Sequence, residues 1–156
     1  MKIHSLNVSN GGVPKLPVAS CEVRTNGIAG DRQRDRRYHG GPQRAVSLYS
    51  LELLQALQAE GHPVAPGALG ENVTLAGVDW SRMTPGAVLE AGTVLLELTS
   101  YAGPCANLRP YFHDGRFARV NEKQHPGWSR LYARVLRPGT LQTGDAVALR
   151  GSAEAQ

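Results

Sequence analysis

A mainly β fold, a closed or nearly closed β-barrel with a few short helices, is what this sequence predicts, on three observations. The 156 residues include 18 glycines and 10 prolines, a usage rich in turns. These punctuate short runs that alternate in polarity or are rich in β-branched side chains, expected as strands at 3–8, 17–24, 43–49, 72–75, 93–99, 131–136 and 146–150. Only one segment has a clear helical period: Ser50 is a suitable N-cap, Leu51, Leu54 and Leu57 make an apolar stripe, and Gly61 can end the helix in a left-handed cap.

The remaining elements follow in order. A weaker helical candidate covers 114–123, before His125-Pro126-Gly127 breaks it. Segments 84–88 and 137–141 share a Pro-Gly turn, and each leads through Gly92 or Gly144 into another apolar strand, without the period of a repeat architecture. A hydrophobic content of 41% with 19% charged residues suits one globular domain at 1–150, followed by a frayed tail at 151–156. No apolar run approaches a membrane span, and the N-terminus lacks the pattern of a secretory signal, so a cytoplasmic location is expected. Cys21 and Cys105 are accordingly expected as free thiols.

Charge is distributed unevenly. The net charge is +4, and six of the fourteen arginines fall between Arg24 and Arg44. Within 30–44 stand five arginines, Asp31, Asp35, His39 and the glycines Gly30, Gly40 and Gly41. Arginine presents a rigid fork suited to phosphate or carboxylate, and adjacent glycines let backbone amides approach an anion. The segment therefore reads as an anion grip, or else as a solvated basic loop. Asp35 stands four residues before His39 and could orient its imidazole, although a turn histidine satisfied by backbone has the same spacing.

Cys105 follows the strongest strand and a Gly-Pro break. A thiol there sits in a loop or at the first turn of a short helix, where nearby amides and Arg109 could favour the thiolate. It could serve as nucleophile, sulfur carrier or ligand for a soft metal, or pack as a small hydrophobe. Cys21, within an apparent strand, reads as packing. A third island, Gly70-Glu71-Asn72, places an acceptor and an amide at the mouth of a strand. The five histidines show no zinc-ligand spacing with cysteine.

Taken together, GDRQRDRRYHGGPQRAVSLYS, PGALGENVTLAG, LTSYAGPC and GWSRLYARVLRPGTLQTGDAVAL resemble the MOSC domain, the module named after the C-terminal part of molybdenum-cofactor sulfurase, of the stand-alone bacterial type. The resemblance implies a β-rich, barrel-like fold that handles the molybdenum cofactor, a pterin dithiolene carrying a phosphate. It further implies that Cys105 is the reactive residue, as a molybdenum ligand or a persulfide carrier. Asp31, Asp35, His39, Gly40, Gly41, Arg44, Glu71 and Asn72 would line the same cleft. Many relatives carry an arginine three residues before the cysteine, where this chain has Ala102; Arg109, one helical turn beyond Cys105, is the expected substitute.

Two mechanisms follow from the resemblance. In one, the protein reduces N-hydroxylated or related small molecules with Cys105 on the metal, and a separate reductase supplies electrons, since no flavin, haem or iron–sulfur motif is present. In the other, Cys105 carries persulfide sulfur from a pyridoxal-phosphate-dependent cysteine desulfurase; Lys2, Lys15 and Lys123 offer no Schiff-base site in this chain itself. A third reading is a non-catalytic β-barrel that binds nucleic acid or a phosphorylated metabolite. An aromatic content of 6%, with Tyr38 alone in the arginine segment, argues against nucleic acid.

Overall fold

The computed structural model describes residues 1–31 and 41–152. Eleven strands dominate: β1 (Lys2–Val8), β2 (Leu16–Val18), β3 (Ser20–Arg24), β4 (Gly27–Ile28), β5 (Val46–Ser50), β6 (Val73–Ala76), β7 (Ala87–Ala91), β8 (Val94–Ala102), β9 (Arg130–Arg137), β10 (Gly139–Gln142) and β11 (Val147–Ser152). One α-helix, α1 (Leu51–Ala59), and four short 3-10 turns complete the described chain.

Eight strands form one mixed sheet in the order β11-β7-β8-β9-β5-β6-β1-β2, and β10-β3-β4 form a second. The sheet is not closed into a barrel. Its edges are β11 and β2, and a single bridge, Lys2 opposite Ala146, joins β1 to the residue before β11. The reason lies in β1: its later half is taken by β2, with Leu6 opposite Val18, so little of its edge remains for β11. The β5–β6 pair is parallel, with α1 in the crossover between its strands.

Local chemistry accounts for agreements and departures alike. The Ser50 hydroxyl accepts from Leu53 N at 3.1 Å, Leu54 and Leu57 are buried, and Gly61 at φ 96° ends α1. The run 17–24 is two strands in different sheets, because the chain bends at Ala19. The helix expected over 114–123 reduces to a 3-10 turn, Phe117–Val120. There the Asp114 side chain accepts from Arg116 N at 2.9 Å and Gly115 turns at φ 70°, which takes the first helical turn out of register. Gly151 and Ser152, expected in a frayed tail, continue β11, and 153–156 lie outside the described residues.

Ile3, Leu48, Leu75, Leu89, Leu96 and Leu98 make the centre of the core, each shielded from solvent. Full burial of such a side chain contributes about 1.5–3 kcal/mol. Buried Tyr49 adds direction: its hydroxyl donates to Trp128 O at 2.7 Å, while Trp80 Nε1 donates to Ser129 O at 3.1 Å. Ser129 Oγ in turn donates to Ala102 O at 3.2 Å. Three bonds thus pin the entry of β9 beside the end of β8, just before Cys105.

Candidate functional site

The carboxyl end of β8, the starts of β5 and β9, and the segments 12–15 and 69–70 converge on one cavity. It has a volume of about 70 Å³, and Lys15, Ser47, Gly70, Cys105, Arg130 and Tyr132 are among its lining residues.

Behind one wall lies a polar hub centred on Asp31. Its carboxylate accepts from Lys15 Nζ at 2.7 and 2.8 Å, from Ser9 N at 2.9 Å and from Asn72 Nδ2 at 2.9 Å. Both charged side chains are buried, with 5% of Lys15 and 3% of Asp31 exposed, so each offsets the desolvation of the other. Asn72 extends the hub to β5, because its Oδ1 accepts from Ser47 N at 3.0 Å, and to β1, because its Nδ2 donates to Asn7 O at 3.2 Å.

Glu71 is fully buried and holds the turn beneath the hub. One carboxyl oxygen accepts from Gly67 N at 3.0 Å and the other from the Thr74 hydroxyl at 3.3 Å. Burial pushes its pKa up to about 7, against the pull of its own and Gly67's N–H groups, the Arg130 charge and the Thr74 hydroxyl. Glycine is required at two places here. At φ 85°, a Cβ on Gly67 would collide with the Lys15 carbonyl oxygen, and at φ 92° one on Gly70 would come within 3.5 Å of Arg130 Nη1.

The opposite wall carries the thiol. Cys105 is half-buried and precedes the 3-10 turn Ala106–Tyr111, whose Leu108 N donates to Cys105 O at 3.0 Å. Tyr132 is buried beside it, and burial raises its phenol pKa while Arg130 and Arg44 pull it down and Cys105 adds to the rise. The Arg44 guanidinium lies over the Tyr132 ring, 5.5 Å from its centroid. Arg130, directly across from Ala102 in the β8–β9 register, donates through Nη1 to Leu69 O at 2.6 Å.

Of the residues expected in the cleft, Cys105 lines the cavity; Asp31, Glu71 and Asn72 stand behind it, bonded to Lys15, Gly67 and Ser47, and Arg44 reaches Tyr132. Gly41 starts the 3-10 turn Pro42–Arg44 at φ 93°, which delivers Arg44 to Tyr132. Asp35, His39 and Gly40 lie outside the described residues. Arg109 does not line the cavity; its exposed guanidinium sits 5.5 Å from the Phe117 centroid. The 3-10 geometry is the reason: at three residues per turn Leu108 eclipses Cys105, and a residue four positions on points elsewhere. Both cysteines are free thiols, and burial pushes that of Cys21 up to about 11.

Sequence reasoning missed Lys15, Ser47, Arg130 and Tyr132. Arg130 carried one signal, an arginine at the mouth of a strand otherwise apolar in its first turns. Lys15 carried none, because its importance depends on a partner sixteen residues away.

A β-rich scaffold that sets a half-buried thiol and a buried arginine on one cavity is the class that the fold and site define. The comparisons give the family: the MOSC domain matches residues 35–148, and the chain belongs to this family. It is 30% identical to YflK of Bacillus subtilis over 92% of this chain and 65% of that protein. It is 34% identical to the protein YiiM of Escherichia coli over 74% of this chain and 52% of that one. The chain thus spans from half to two thirds of the length of these relatives. The crystal structure of YiiM from Geobacillus stearothermophilus superposes with a TM-score of 0.77 at 26% identity, over 96% of this chain and 74% of that one. The YUAD protein of Bacillus subtilis gives 0.76 at 20% identity, over 96% and 95%.

The MOSC family is associated with the molybdenum cofactor, and the residues present fit such a group. Cys105 offers a soft donor to the cavity. Among the described residues the buried Nε of Arg130 has no hydrogen-bond partner, so a donor on the same cavity as the thiol is left for an acceptor.

Proposed function

We propose that this is a molybdenum-cofactor-binding MOSC protein in which Cys105 is the protein ligand of the metal, acting in the reduction of N-hydroxylated or related small molecules. The observation that carries the reading is the placement of a half-buried thiol and a buried arginine on one cavity. When bound, the cofactor would supply the two-electron redox chemistry of the reduction.

The chain's own residues bind and orient. Cys105 holds the soft metal, and Arg130 and Arg44 attract the anionic parts of the ligand. Tyr132, its phenol kept protonated by burial, is a neutral donor beside the sulfur. The Asp31–Lys15–Asn72 hub keeps the facing wall in place without adding net charge. Electrons come from a separate reductase in this reading.

Elemental analysis and pterin fluorescence of protein isolated from molybdenum-replete cells test it. Near-stoichiometric molybdenum that disappears in Cys105→Ser is the expected result. Cysteine mass analysis showing one added sulfur on Cys105, with no metal in the preparation, would replace this reading by persulfide carriage from a cysteine desulfurase.

A further inference from the structure

Three arginine side chains share a habit. Arg24, Arg119 and Arg150 each turn the Nε/Nη2 edge of the guanidinium onto a carboxylate, that of Glu22, Glu60 and Glu90 respectively. This edge carries two parallel N–H donors and matches the two oxygens of an oxyanion. Arg130 departs from the pattern. Its Nη1 is tied to Leu69 O at 2.6 Å, which orients the plane, yet its Nε is buried and unpartnered and its Nη2 has no hydrogen bond within the described residues.

The other charges around the cavity do not fill that edge. Lys15 is neutralised by Asp31 at 2.7 Å. Glu71 feels the Arg130 charge, but its oxygens are taken by Gly67 N and the Thr74 hydroxyl, and burial favours its neutral form. Among the described residues, no carboxylate forms an ion pair with Arg130. A guanidinium that is only 6% exposed and lacks a counter-ion is costly for the fold, unless a ligand completes it.

We propose that the Nε/Nη2 edge of Arg130 is an oxyanion subsite beside the Cys105 thiol, shaped for a small tetrahedral group such as phosphate. Its position across from Ala102 puts the guanidinium at the end of the strand that leads into Cys105. Three hydrogen bonds at Trp128 and Ser129 hold the backbone just before it, and the Nη1 bond to Leu69 O orients the guanidinium, so little of the side chain's freedom remains to be lost on binding. The ligand's oxygens accept from Nε and Nη2, and its central atom lies on the thiol side of the cavity. The biological source of the oxyanion, the phosphate of the cofactor or an oxyanionic group of the substrate, rests on the cofactor reading above; the binding chemistry does not.

The test needs no molybdenum. Full-length protein is alkylated with iodoacetamide in the absence and presence of millimolar inorganic phosphate, and the rate at Cys105 is followed by peptide mass. Cys21, buried and with its pKa raised to about 11, reacts far more slowly and serves as the internal reference. Phosphate should slow Cys105 alkylation saturably. In Arg130→Met the apparent phosphate affinity should fall by about tenfold or more, the scale of a lost charged hydrogen-bond pair, and in Arg130→Lys by an intermediate factor. Absence of protection in the unmodified chain, or equal protection in either folded variant, would overturn the proposal. Protein isolated with pterin bound separates the sources. Protection lost there assigns the subsite to the cofactor's phosphate, and protection retained assigns it to the substrate; both outcomes uphold the subsite. A protein that never carries molybdenum but shows Arg130-dependent protection would sink the cofactor reading and leave the subsite standing.

Discussion

The two walls of the cavity are built on opposite electrostatic plans. On the Asp31 side, a buried anion receives Lys15, Ser9 and Asn72, and the neighbouring Glu71 is held by Gly67 and Thr74. On the Cys105 side, a thiol is half-buried and part of the Arg130 guanidinium is unpartnered among the described residues. The first wall resolves its charges internally and so contributes to folding. Among the described residues, the second does not, as the proposed ligand site requires. Removal of a group should therefore damage stability on the first wall and binding on the second.

The largest expected effect is that of Asp31→Ala. It strands the Lys15 ammonium in a buried position and deprives Ser9 N and Asn72 Nδ2 of their acceptor, at a cost of about 3–5 kcal/mol. Urea denaturation measures it, and a loss below about 1 kcal/mol would mean that Lys15 escapes to solvent.

Glu71→Gln should change the pH dependence instead. The folded-state pKa, about 7, lies above the model value of 4.5, so the folded chain holds a proton that the unfolded chain releases. This contribution is fully present below about pH 4.5 and is lost as pH rises through 7, an effect on the order of 3 kcal/mol. Glutamine keeps an acceptor for Gly67 N and does not titrate. Stability followed from pH 4.5 to 7.5 should fall less steeply in the variant; parallel curves would show that Glu71 is ionised throughout.

How far each wall was legible in the sequence follows the same division. Strand alternation marked most of the sheet, and Ser50 and Gly61 marked the ends of α1, because those signals are local. The bend that splits 17–24 between two sheets left no trace, since Ala19 suits a strand as well as a turn. Asp31, Glu71 and Asn72 stood out in the sequence, yet their partnership with Lys15, Ser47 and Thr74 is a tertiary matter. Arg130 stands at the head of β9 like any strand residue, and only its register against Ala102 brings it to the cysteine. Arg109, chosen on an α-helical spacing, was displaced by a 3-10 turn that contains Pro110.

Arg130→Met separates the walls more finely. The exchange removes a buried cation that lacks an ion-pair partner and leaves Leu69 O without its donor, so the two consequences oppose each other. The net change in stability should be within about 1 kcal/mol, against a clear loss of phosphate protection. A cost like that of Asp31→Ala would mean that Arg130 belongs to the structural wall after all.

The smallest change in stability, and the most complete change in proposed function, should coincide at Cys105. Serine replaces sulfur by oxygen at a half-buried position whose side chain caps no backbone amide of the following turn. The stability difference should therefore be within about 0.5 kcal/mol. The midpoint of thermal unfolding should accordingly shift by less than about 2 °C. Metal-free preparations of both proteins are the right comparison, because a bound ligand would stabilise only the one that retains it. A larger shift between those preparations would place the Cys105 side chain in the core, and the contrast between a wall that folds and a wall that binds would fail at its central residue.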